Sequence, residues 1–460
     1  MLFLSGAGGC GKTFVYKALT STILGNGGIV KTVAPTGLAA TLLKDGKTVH
    51  SGFGISIHLN ERTVSSIKEG TSVCRELRDT KLIIWDEISM SHVHLFNAVD
   101  RSLRIVHNEE PFGGIPIVVG GDFCQQAPVV LHGNRVSIVE ACVKSSSVWK
   151  SFKELKLIRN MRVNPDEVEF CEWLLTVGSG VEDGNLVNFV KLSKDILTHD
   201  VVTSIFGNDL NSLTPADLAS RAVLCPKNCD TLTVNEQVLN MLRGQTKSYF
   251  SGDNISSCET EEERAQYPIE FVHSLTPMGL PPHMLNLKKG CCVMLLHNLN
   301  PKKGLCNDTQ LIVETLGTNL IDCSIYSGER RGQKVLIPRI PLDTSENCDI
   351  PFKLTRKQFP LRLAYSMTIT KSQGQTFDKI GVFLPDPVFT HGQLYTAFSR
   401  VTSCIGLSVQ IVPGRSQGKI FENDENDYTF NCVYREILTS FMFRYEICLD
   451  AGMNKKRTSY

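Results

Sequence analysis

The feature that most constrains this chain is a glycine-rich segment placed directly after a short apolar run at the amino terminus. The run Leu2 to Leu4 predicts a buried strand, residues 6–13 read GAGGCGKT, and apolar residues at helical spacing follow them. In a strand, glycine-rich turn and helix, backbone N–H groups converge on phosphate oxygens at the helix N-terminus. The segment therefore predicts an α/β domain that binds a phosphorylated ligand.

Two phosphate-binding patterns fit residues 6–13, the dinucleotide pattern GxGxxG and the P-loop pattern GxxxxGK[ST]. A dinucleotide fold needs an acidic residue about 20 positions further on, and residues 26–31 contain none. A P-loop needs a lysine for the β- and γ-phosphates and a hydroxyl for magnesium, and Lys12 and Thr13 provide them. We therefore expect a nucleoside triphosphate, bound by Gly6, Ala7, Gly8, Gly9, Cys10, Gly11, Lys12 and Thr13.

Short, continuously apolar runs recur along the chain, as expected for parallel strands buried on both faces. In the first third, Ile29 to Ala34, Leu82 to Trp85 and Ile115 to Val119 follow the first run. In the second half, the clearest runs are Ala222 to Cys225, Ile380 to Leu384 and Leu407 to Val412. The pattern predicts the α/β class, with two stacked lobes.

An adjacent acid pair and a glutamine indicate hydrolysis rather than simple binding. Asp86 and Glu87 follow a predicted strand, where one carboxylate can coordinate magnesium and the other can polarise water. The segment GGDF follows another strand and places the Gln125 amide within reach of a γ-phosphate. No NKxD guanine-reading motif is present, which argues against a GTPase switch.

Overall charge does not indicate a partner, because 48 Lys plus Arg balance 47 Asp plus Glu. Twelve basic residues are nevertheless concentrated between Lys288 and Arg362, where short strands and turns predict a small β-barrel. The 16 cysteines are scattered, which favours reduced thiols inside the cell. No apolar run approaches about 18 residues, so we expect no membrane span, and the N-terminus lacks the pattern of a signal peptide.

Eight segments in order resemble the Pif (petite integration frequency) DNA helicases of superfamily 1 subclass B, with greatest similarity to the helicase portion of Helitron-type transposons. These segments are GAGGCGKT, APTGLAA (34–40), TVHS (48–51), WDEISM (85–90), GGDFCQQAP (120–128), RNMR (159–162), TITKSQGQT (368–376) and YTAFSRV (395–401). The resemblance extends from Met1 to about residue 412.

The resemblance implies two RecA-like P-loop lobes of parallel sheets flanked by helices. The implied divisions are lobe 1 at 1–150 with a wedge insertion at about 51–76, lobe 2 at 151–287 and 363–445, an SH3-like β-barrel insertion at 288–362, and a tail at 446–460. The implied activity is ATP-dependent 5′ to 3′ translocation on single-stranded DNA with duplex unwinding. Alternatives are a DNA-stimulated ATPase with little unwinding and an inactive DNA-binding transposon remnant.

The resemblance also implies roles for individual residues. Lys12 and Thr13 bind phosphate and Mg²⁺, Asp86 coordinates Mg²⁺, and Glu87 is the general base. Gln125 senses the γ-phosphate, and Gly374 lies at the nucleotide. Arg162 and Arg400 are the two arginines that lobe 2 is expected to supply to the transferring phosphate.

The same resemblance implies a DNA track and a cellular setting. The expected DNA contacts are Pro35, Thr36, Gly37, His50, Ser51, Lys371, Ser372 and Gln373. Single-stranded and forked DNA are the expected partners, ATP and Mg²⁺ the cofactors, and a monomer the expected state. The family is associated with DNA repair, recombination and telomere maintenance, and a eukaryotic source would place the protein in the nucleus.

Overall fold

Two parallel sheets form the framework of the chain, and an antiparallel insertion interrupts the second of them. This computed structural model describes residues 1–163, 166–180, 188–255, 267–277, 279–300, 303–326, 330–344, 350, 352–420, 424–439 and 444–447. Most of the expected tail, residues 448–460, lies outside these ranges.

The strands, in chain order, are β1 (Leu2–Ser5), β2 (Ile29–Ala34), β3 (Lys47–Thr48), β4 (Thr80–Trp85), β5 (Ile117–Gly121), β6 (Lys153–Leu157), β7 (Phe189–Leu192), β8 (Arg221–Cys225), β9 (Lys247–Phe250), β10 (Gly252–Ile255), β11 (Met284–Leu287), β12 (Cys292–Leu295), β13 (Gln310–Leu316), β14 (Leu320–Ile325), β15 (Lys334–Pro338), β16 (Ile340–Asp343), β17 (Leu354–Gln358), β18 (Leu361–Leu363), β19 (Ser366–Thr368), β20 (Lys379–Leu384), β21 (Leu407–Ile411), β22 (Gln417–Gly418), β23 (Asp427–Phe430) and β24 (Arg444–Ile447).

The α-helices are α1 (Lys12–Gly25), α2 (Gly37–Thr41), α3 (Val49–Phe53), α4 (Ser72–Asp79), α5 (Val93–Val106), α6 (Arg135–Ala141), α7 (Val168–Ser179), α8 (Val201–Phe206), α9 (Pro215–Ala219), α10 (Asn228–Met241), α11 (Ile269–Ser274), α12 (Gln393–Phe398) and α13 (Arg435–Leu438). Short 3₁₀ turns include Ile88–Met90 and Ile369–Ser372.

The first sheet has the order β24-β6-β1-β5-β4-β2-β3, and all of its neighbouring strands are parallel. All four apolar runs predicted in the first third lie in its strands. Successive residues of β1 face opposite cores, since Phe3 packs in one hydrophobic cluster and Leu4 in another. Burial on both faces explains why these strands are continuously apolar.

The second sheet has the order β19-β8-β20-β21 and is also parallel. It contains the three runs predicted in the second half of the chain. The prediction of two α/β lobes is confirmed, because each parallel sheet carries helices and its own buried cluster.

Two expected boundaries differ from the observed ones. Strand β6 pairs with β1, so the first lobe continues past residue 150. The antiparallel insertion begins well before residue 288, because β9 pairs with β11 and β10 pairs with β17. These strands are separated by long stretches of chain, so local sequence patterns do not reveal their pairing.

The expected barrel region, 288–362, contains an antiparallel sheet of order β15-β14-β13-β12-β18. Several of its basic side chains have structural roles. Lys288 is buried and donates to the Leu242 carbonyl oxygen at 2.5 Å, and Arg356 is fully buried. Arg362 donates to Asn228 Oδ1 at 2.6 Å. The basic residue Lys302 lies outside the described ranges.

The expected wedge region contains α3 and the start of α4, joined by an irregular loop that packs on α5. Arg101 donates from Nη2 to the Thr63 carbonyl oxygen at 2.7 Å, and the Ser65 amide donates to Ser102 Oγ at 2.8 Å. These bonds fasten the loop to the first lobe. Within the described ranges, no helix has the length and apolarity that crossing a bilayer requires.

Candidate active site

The glycine-rich loop lies between β1 and α1 at the carboxyl edge of the first sheet. Gly9 and Gly11 have φ angles of +90° and +88°, a region that favours glycine. Gly11 precedes the first residue of α1, Lys12, whose Nζ donates to the carbonyl oxygens of Gly6 at 2.6 Å and Ala7 at 3.1 Å. The loop therefore has the curled backbone and the basic side chain that a phosphate site needs.

The RNMR segment packs directly against this loop. The Met161 amide donates to the Gly9 carbonyl oxygen at 2.9 Å, and Asn160 Oδ1 accepts from the Arg162 amide at 2.9 Å. A Cβ at Gly9 would lie 2.3 Å from Arg162 Cβ, so the close approach requires glycine there. Sequence analysis identified both motifs, and the structure shows that they form one surface.

Two guanidinium groups point at the glycine-rich loop. A Cβ built on Gly8 would lie 3.1 Å from Arg162 Nη1 and 3.1 Å from Arg400 Nη2. Arg162 Nη1 also donates to the Ser399 carbonyl oxygen at 2.9 Å, which joins the RNMR segment to the second lobe. The predicted convergence of the two arginines on the phosphate loop is therefore observed.

Arg162 lies at the junction of the two lobes. It follows β6, a strand of the first sheet, and the next residue, Val163, packs in the hydrophobic cluster of the second lobe. Arg400 does belong to the second lobe, where it donates to the Thr396 carbonyl oxygen at 2.9 Å and to Ser399 Oγ at 2.9 Å. Movement of that lobe therefore carries Arg400 with it.

Burial and, to a smaller extent, the neighbouring charge of Arg400 lower the pKa of Arg162 to about 10. Burial also lowers the pKa of Arg400. Two like charges in a desolvated position are stabilised by an anion between them. The pair therefore favours a multiply charged ligand such as a triphosphate.

The acid pair follows β4, as predicted, and its first carboxylate is buried. Tyr16 Oη donates to Asp86 Oδ1 at 3.0 Å, and a Cβ at Gly120 would lie 1.5 Å from Tyr16 Oη. Burial and, to a smaller extent, the charge of Glu87 raise the pKa of Asp86 to about 6 against the opposing effect of Lys12. Because burial disfavours the charged form of this carboxylate, a divalent cation bound to its oxygens would stabilise it.

The second carboxylate, Glu87, lies at a strained backbone position and faces the second lobe. Its φ of 50° is left-handed, which is unusual for a residue other than glycine. Gln373 Nε2 donates to Glu87 Oε2 at 3.2 Å, and a Cβ on Gly374 would lie 4.0 Å from Glu87 Oε1. The expected nucleotide-site residue Gly374 therefore lies beside the predicted general base.

The predicted phosphate sensor belongs to a bonded group that spans both lobes. Gln125 Nε2 donates to Asp122 Oδ2 at 3.0 Å, and Tyr395 Oη donates to the same oxygen at 2.9 Å. Gln125 is 2% exposed, and its Oε1 has no hydrogen-bond partner among the described residues. An unpaired buried amide oxygen beside the phosphate loop fits a residue that contacts a ligand or its water.

A cavity of about 260 Å³ brings these predicted residues together. Its lining comprises Gly8, Gly9, Gly11, Lys12, Thr13, Ala39, Leu42, Asp86, Glu87, Gln125, Met161, Arg162, Gly374 and Arg400. Thr13 and Asp86 supply the hydroxyl and carboxylate oxygens that magnesium prefers, so the donor set fits Mg²⁺. Ala7 and Cys10 line a second cavity next to this one, and Gly6 lies in the loop outside both linings.

That second cavity, of about 440 Å³, lies on the RNMR side of the glycine-rich loop. It is mainly apolar, with Ile158, Met161, Leu174 and Leu175 in its wall. Its position next to the phosphate loop and its apolar walls suit a nucleobase.

The first-lobe DNA candidates follow two neighbouring parallel strands. Ala34 of β2 lies opposite Thr48 of β3, so Pro35, Thr36 and Gly37 begin beside the segment that contains His50 and Ser51. All five of these candidates are exposed or partly exposed. Their shared sheet edge makes one continuous contact surface possible.

The second-lobe candidates do not form such a surface. Lys371 is partly exposed and pairs with Asp308 at 2.6 Å. Ser372 is fully buried and donates to the Ile369 carbonyl oxygen at 2.7 Å, while Gln373 faces Glu87. Of these three residues, Lys371 alone is partly exposed, and it can bind a phosphate by exchanging Asp308 for it.

One further cluster has residue types that bind metals. Ligand atoms of Asp253, His273 and His283 all lie within 4.8 Å of one another. However, Arg356 donates to both Asp253 oxygens, at 2.9 Å and 2.7 Å. A buried cation already neutralises this carboxylate, so the cluster is better explained as part of the insertion's core.

Four residues that shape the site were not among the predicted site residues. Tyr16 lies one helical turn after Lys12, and Gly120 is the small residue that makes room for its hydroxyl. Asp122 stands inside the quoted GGDF motif, and Tyr395 starts the YTAFSRV motif. Each of these residues lies within or next to a motif noted in the sequence. The contacts between the motifs, which bring the residues to the site, have no signal in the sequence.

Comparisons with known proteins agree with this geometry. Residues 1–186 match the family model described as PIF1-like helicase, and residues 270–316 match the model described as DNA helicase Pif1, 2B domain. The ATP-dependent DNA helicase Pif1 of a Psychrobacter species is 27% identical over 521 residues, covering 99% of this chain and 74% of that protein. The chain spans 50% to 58% of the length of the eukaryotic relatives it matches.

Solved structures are also similar. A Bacteroides Pif1 helicase in complex with ADP-AlF3 and single-stranded DNA matches with a TM-score of 0.63 and 25% identity, covering 90% of this chain and 91% of that one. A structure described as DNA unwinding at forked duplex DNA by two coordinating Pif1 helicases matches with a TM-score of 0.62 and 26% identity, covering 90% of both chains.

Proposed function

The chain belongs to the PIF1-like helicase family, and from this premise we propose that it is an ATP-dependent DNA helicase. Its proposed action is 5′ to 3′ translocation on single-stranded DNA and unwinding of duplexes at forks. The polarity derives from the family resemblance, and the DNA partners from the relatives solved with single-stranded and forked DNA.

The observation that carries this proposal is the approach of Arg162 and Arg400 to the glycine-rich loop. Both guanidinium groups come within 3.1 Å of the same point beside Gly8, in a cavity that also contains Lys12 and Glu87. Because the glycine-rich loop belongs to the first lobe and Arg400 to the second, the cavity is complete only when the lobes are close. Hydrolysis in such a cleft is coupled to lobe movement.

The proposed chemistry is in-line attack of water on the γ-phosphorus of ATP. Glu87 accepts a proton from that water as the new P–O bond forms, and the bond to the β–γ bridging oxygen breaks. Lys12 and the loop N–H groups bind the β- and γ-phosphate oxygens. Arg162 and Arg400 stabilise the charge that spreads over the transferring group.

Thr13 and Asp86 would hold Mg²⁺, which neutralises phosphate charge and orients the β- and γ-oxygens when bound. We assign the nucleobase to the apolar cavity of about 440 Å³ next to the loop. All the side chains assigned to hydrolysis come from one chain, which supports a monomer as the unit competent for ATP hydrolysis.

The proposed DNA track begins with the first-lobe contacts Pro35, Thr36, Gly37, His50 and Ser51. Their surface position at the ends of β2 and β3 supports contact with backbone phosphates, which positions a strand without reading its bases. Lys371 supplies the second-lobe charge. The buried positions of Ser372 and Gln373 assign these two residues to support of the turn and of Glu87 instead.

The first test measures ATP hydrolysis and unwinding by the whole chain. We expect oligo-dT to stimulate hydrolysis, Lys12→Ala to abolish it, and a 5′-tailed duplex to be unwound while a 3′-tailed duplex is not. Gel-based strand separation with each tail checks the polarity. Unwinding from the 3′ tail would contradict the direction, hydrolysis without unwinding would favour the translocase alternative, and absent hydrolysis would favour the inactive remnant.

Replacing Tyr16 by phenylalanine is expected to weaken Mg²⁺ binding without disrupting the fold. The change removes the donor to Asp86 Oδ1, and a hydrogen bond to a charged group contributes about 1.5–3 kcal/mol. We expect the Mg²⁺ concentration for half-maximal ATPase activity to rise roughly tenfold or more, since about 1.4 kcal/mol is tenfold.

The control for this change is Tyr249→Phe, which removes a hydroxyl that donates to the Gly317 carbonyl oxygen at 2.7 Å in the insertion. Binding of a fluorescent ADP analogue with Mg²⁺ and with EDTA gives a readout independent of turnover. Equal loss of affinity in both conditions would show that Tyr16 does not act through the metal site.

A further inference from the structure

The predicted general base is bonded to the second lobe through a side chain that was expected to contact DNA. Gln373 is 5% exposed, and its Nε2 donates to Glu87 Oε2 at 3.2 Å across a sequence separation of 286 residues. Among the described residues, this is the only side-chain hydrogen bond to the Glu87 carboxylate. The bond connects the catalytic carboxylate to the TITKSQGQT segment.

Both oxygens of Glu87 face the same turn. Oε2 accepts from Gln373, and Oε1 lies 4.0 Å from the Cβ position of Gly374. A hydrogen bond to one oxygen of a carboxylate fixes the rotation of the group. In this arrangement the TITKSQGQT turn of the second lobe holds the Glu87 carboxylate. A shift of that turn would release the carboxylate toward the phosphate site.

The turn has internal hydrogen bonds and is connected to the antiparallel insertion by an ion pair. Lys371 pairs with Asp308, in the segment between β12 and β13, at 2.6 Å. Ser372 Oγ donates to the Ile369 carbonyl oxygen at 2.7 Å, and Gln375 Nε2 donates to the Lys371 carbonyl oxygen at 2.8 Å. Displacement of Lys371 therefore moves the residues that follow it.

We propose that Gln373 is a positioning residue that restrains Glu87 in the DNA-free protein and that DNA relieves the restraint through Lys371. This inference rests on the proposed function. A DNA phosphate competes with the Asp308 carboxylate for Lys371, since both are anions that pair with an ammonium group. When Lys371 exchanges one partner for the other, the turn shifts and the Gln373 bond to Glu87 is lost.

The experiment compares ATP hydrolysis by the whole chain with and without saturating oligo-dT. Gln373→Met keeps the side-chain length and removes the N–H donor. We expect its DNA-free kcat to rise roughly 3- to 10-fold, as the loss of one hydrogen bond to a charged group allows. Its KM for ATP and its DNA-saturated kcat should stay within about twofold, so the stimulation by DNA falls.

Asp308→Asn tests the other end of the connection. Like Gln373→Met, this variant should raise the DNA-free kcat. It should also lower the oligo-dT concentration needed for half-maximal stimulation, because Lys371 loses its competing partner. The double variant should give less than the product of the two single effects, since both act on one bond. Gln237→Met, at an exposed position on α10, is the matched control and should change none of these values.

Two results would overturn the inference. An equal decrease of DNA-free and DNA-saturated kcat in Gln373→Met would mean that Gln373 directly supports catalysis, and unchanged values would mean that its bond has no effect on Glu87. Failure of the proposed function is distinguishable, because the unmodified chain would then show no hydrolysis sensitive to Lys12→Ala. Thermal melting of each variant separates a change of fold from a change of coupling.

Discussion

Glu87→Gln is expected to reduce DNA-stimulated ATP hydrolysis by about 10²- to 10⁴-fold, the usual contribution of general-base catalysis. Glutamine has nearly the same shape and can remain at the buried position beside the cavity, but its amide cannot accept the proton from water. ATP binding should be preserved, because Lys12 and the glycine-rich loop supply the phosphate contacts. Single-turnover hydrolysis and binding of a fluorescent ATP analogue measure the two effects separately.

The matched control for this change is Glu140→Gln, which makes the same substitution at an exposed position on α6. Near-normal turnover by Glu87→Gln would contradict the general-base assignment. Loss of nucleotide binding together with turnover would instead indicate that Glu87 supports the structure of the site. Turnover and nucleotide binding have to be compared because the left-handed backbone of Glu87 is strained independently of any catalytic role of its side chain.

Arg400→Ala should lower the hydrolysis rate by roughly 10³-fold or more while changing nucleotide affinity much less, as expected for an arginine finger. Arg400 contacts the loop from the second lobe and is anchored there by Thr396 and Ser399. Its interaction with phosphate charge is strongest when the lobes are close and the charge is spread over the transferring group. Steady-state kinetics with a nucleotide-binding assay distinguish kcat from affinity.

Because Arg400 is 1% exposed, its removal leaves a buried space, and folding has to be checked by thermal melting. Arg400→Lys keeps the charge but not the two-pronged guanidinium geometry, and should also be strongly impaired. Arg415→Ala, at an exposed position, is the control. A pure loss of nucleotide affinity in a folded Arg400 variant would contradict the finger role.

Several parts of the molecule followed from local patterns. The apolar runs located four strands of the first parallel sheet and three of the second, because strands buried on both faces are continuously apolar. Lys12, Thr13 and Asp86 were predicted to share a site, and they line one cavity because the carboxyl ends of β1 and β4 lie at the same sheet edge. These predictions needed only the residues next to each strand.

Other features depend on contacts between distant segments. The RNMR motif was identified, but nothing near it reveals that β6 pairs with β1 or that Arg162 then lies at the junction of the lobes. Gln373 was expected at DNA, yet its side chain turns toward Glu87. The antiparallel insertion was predicted too short, since β10 pairs with β17 about a hundred positions later.

The amino-acid sequence by itself determined the phosphate chemistry of this protein and the order of its motifs, because a glycine-rich turn, a lysine and an acid pair act through short stretches of backbone. Tertiary structure alone decided that Arg162 lies at the junction of the lobes, that Tyr16 supports Asp86, and that Gln373 reaches Glu87. Those contacts join residues 70 to 286 positions apart. They depend on strand order and lobe packing, which no local pattern encodes.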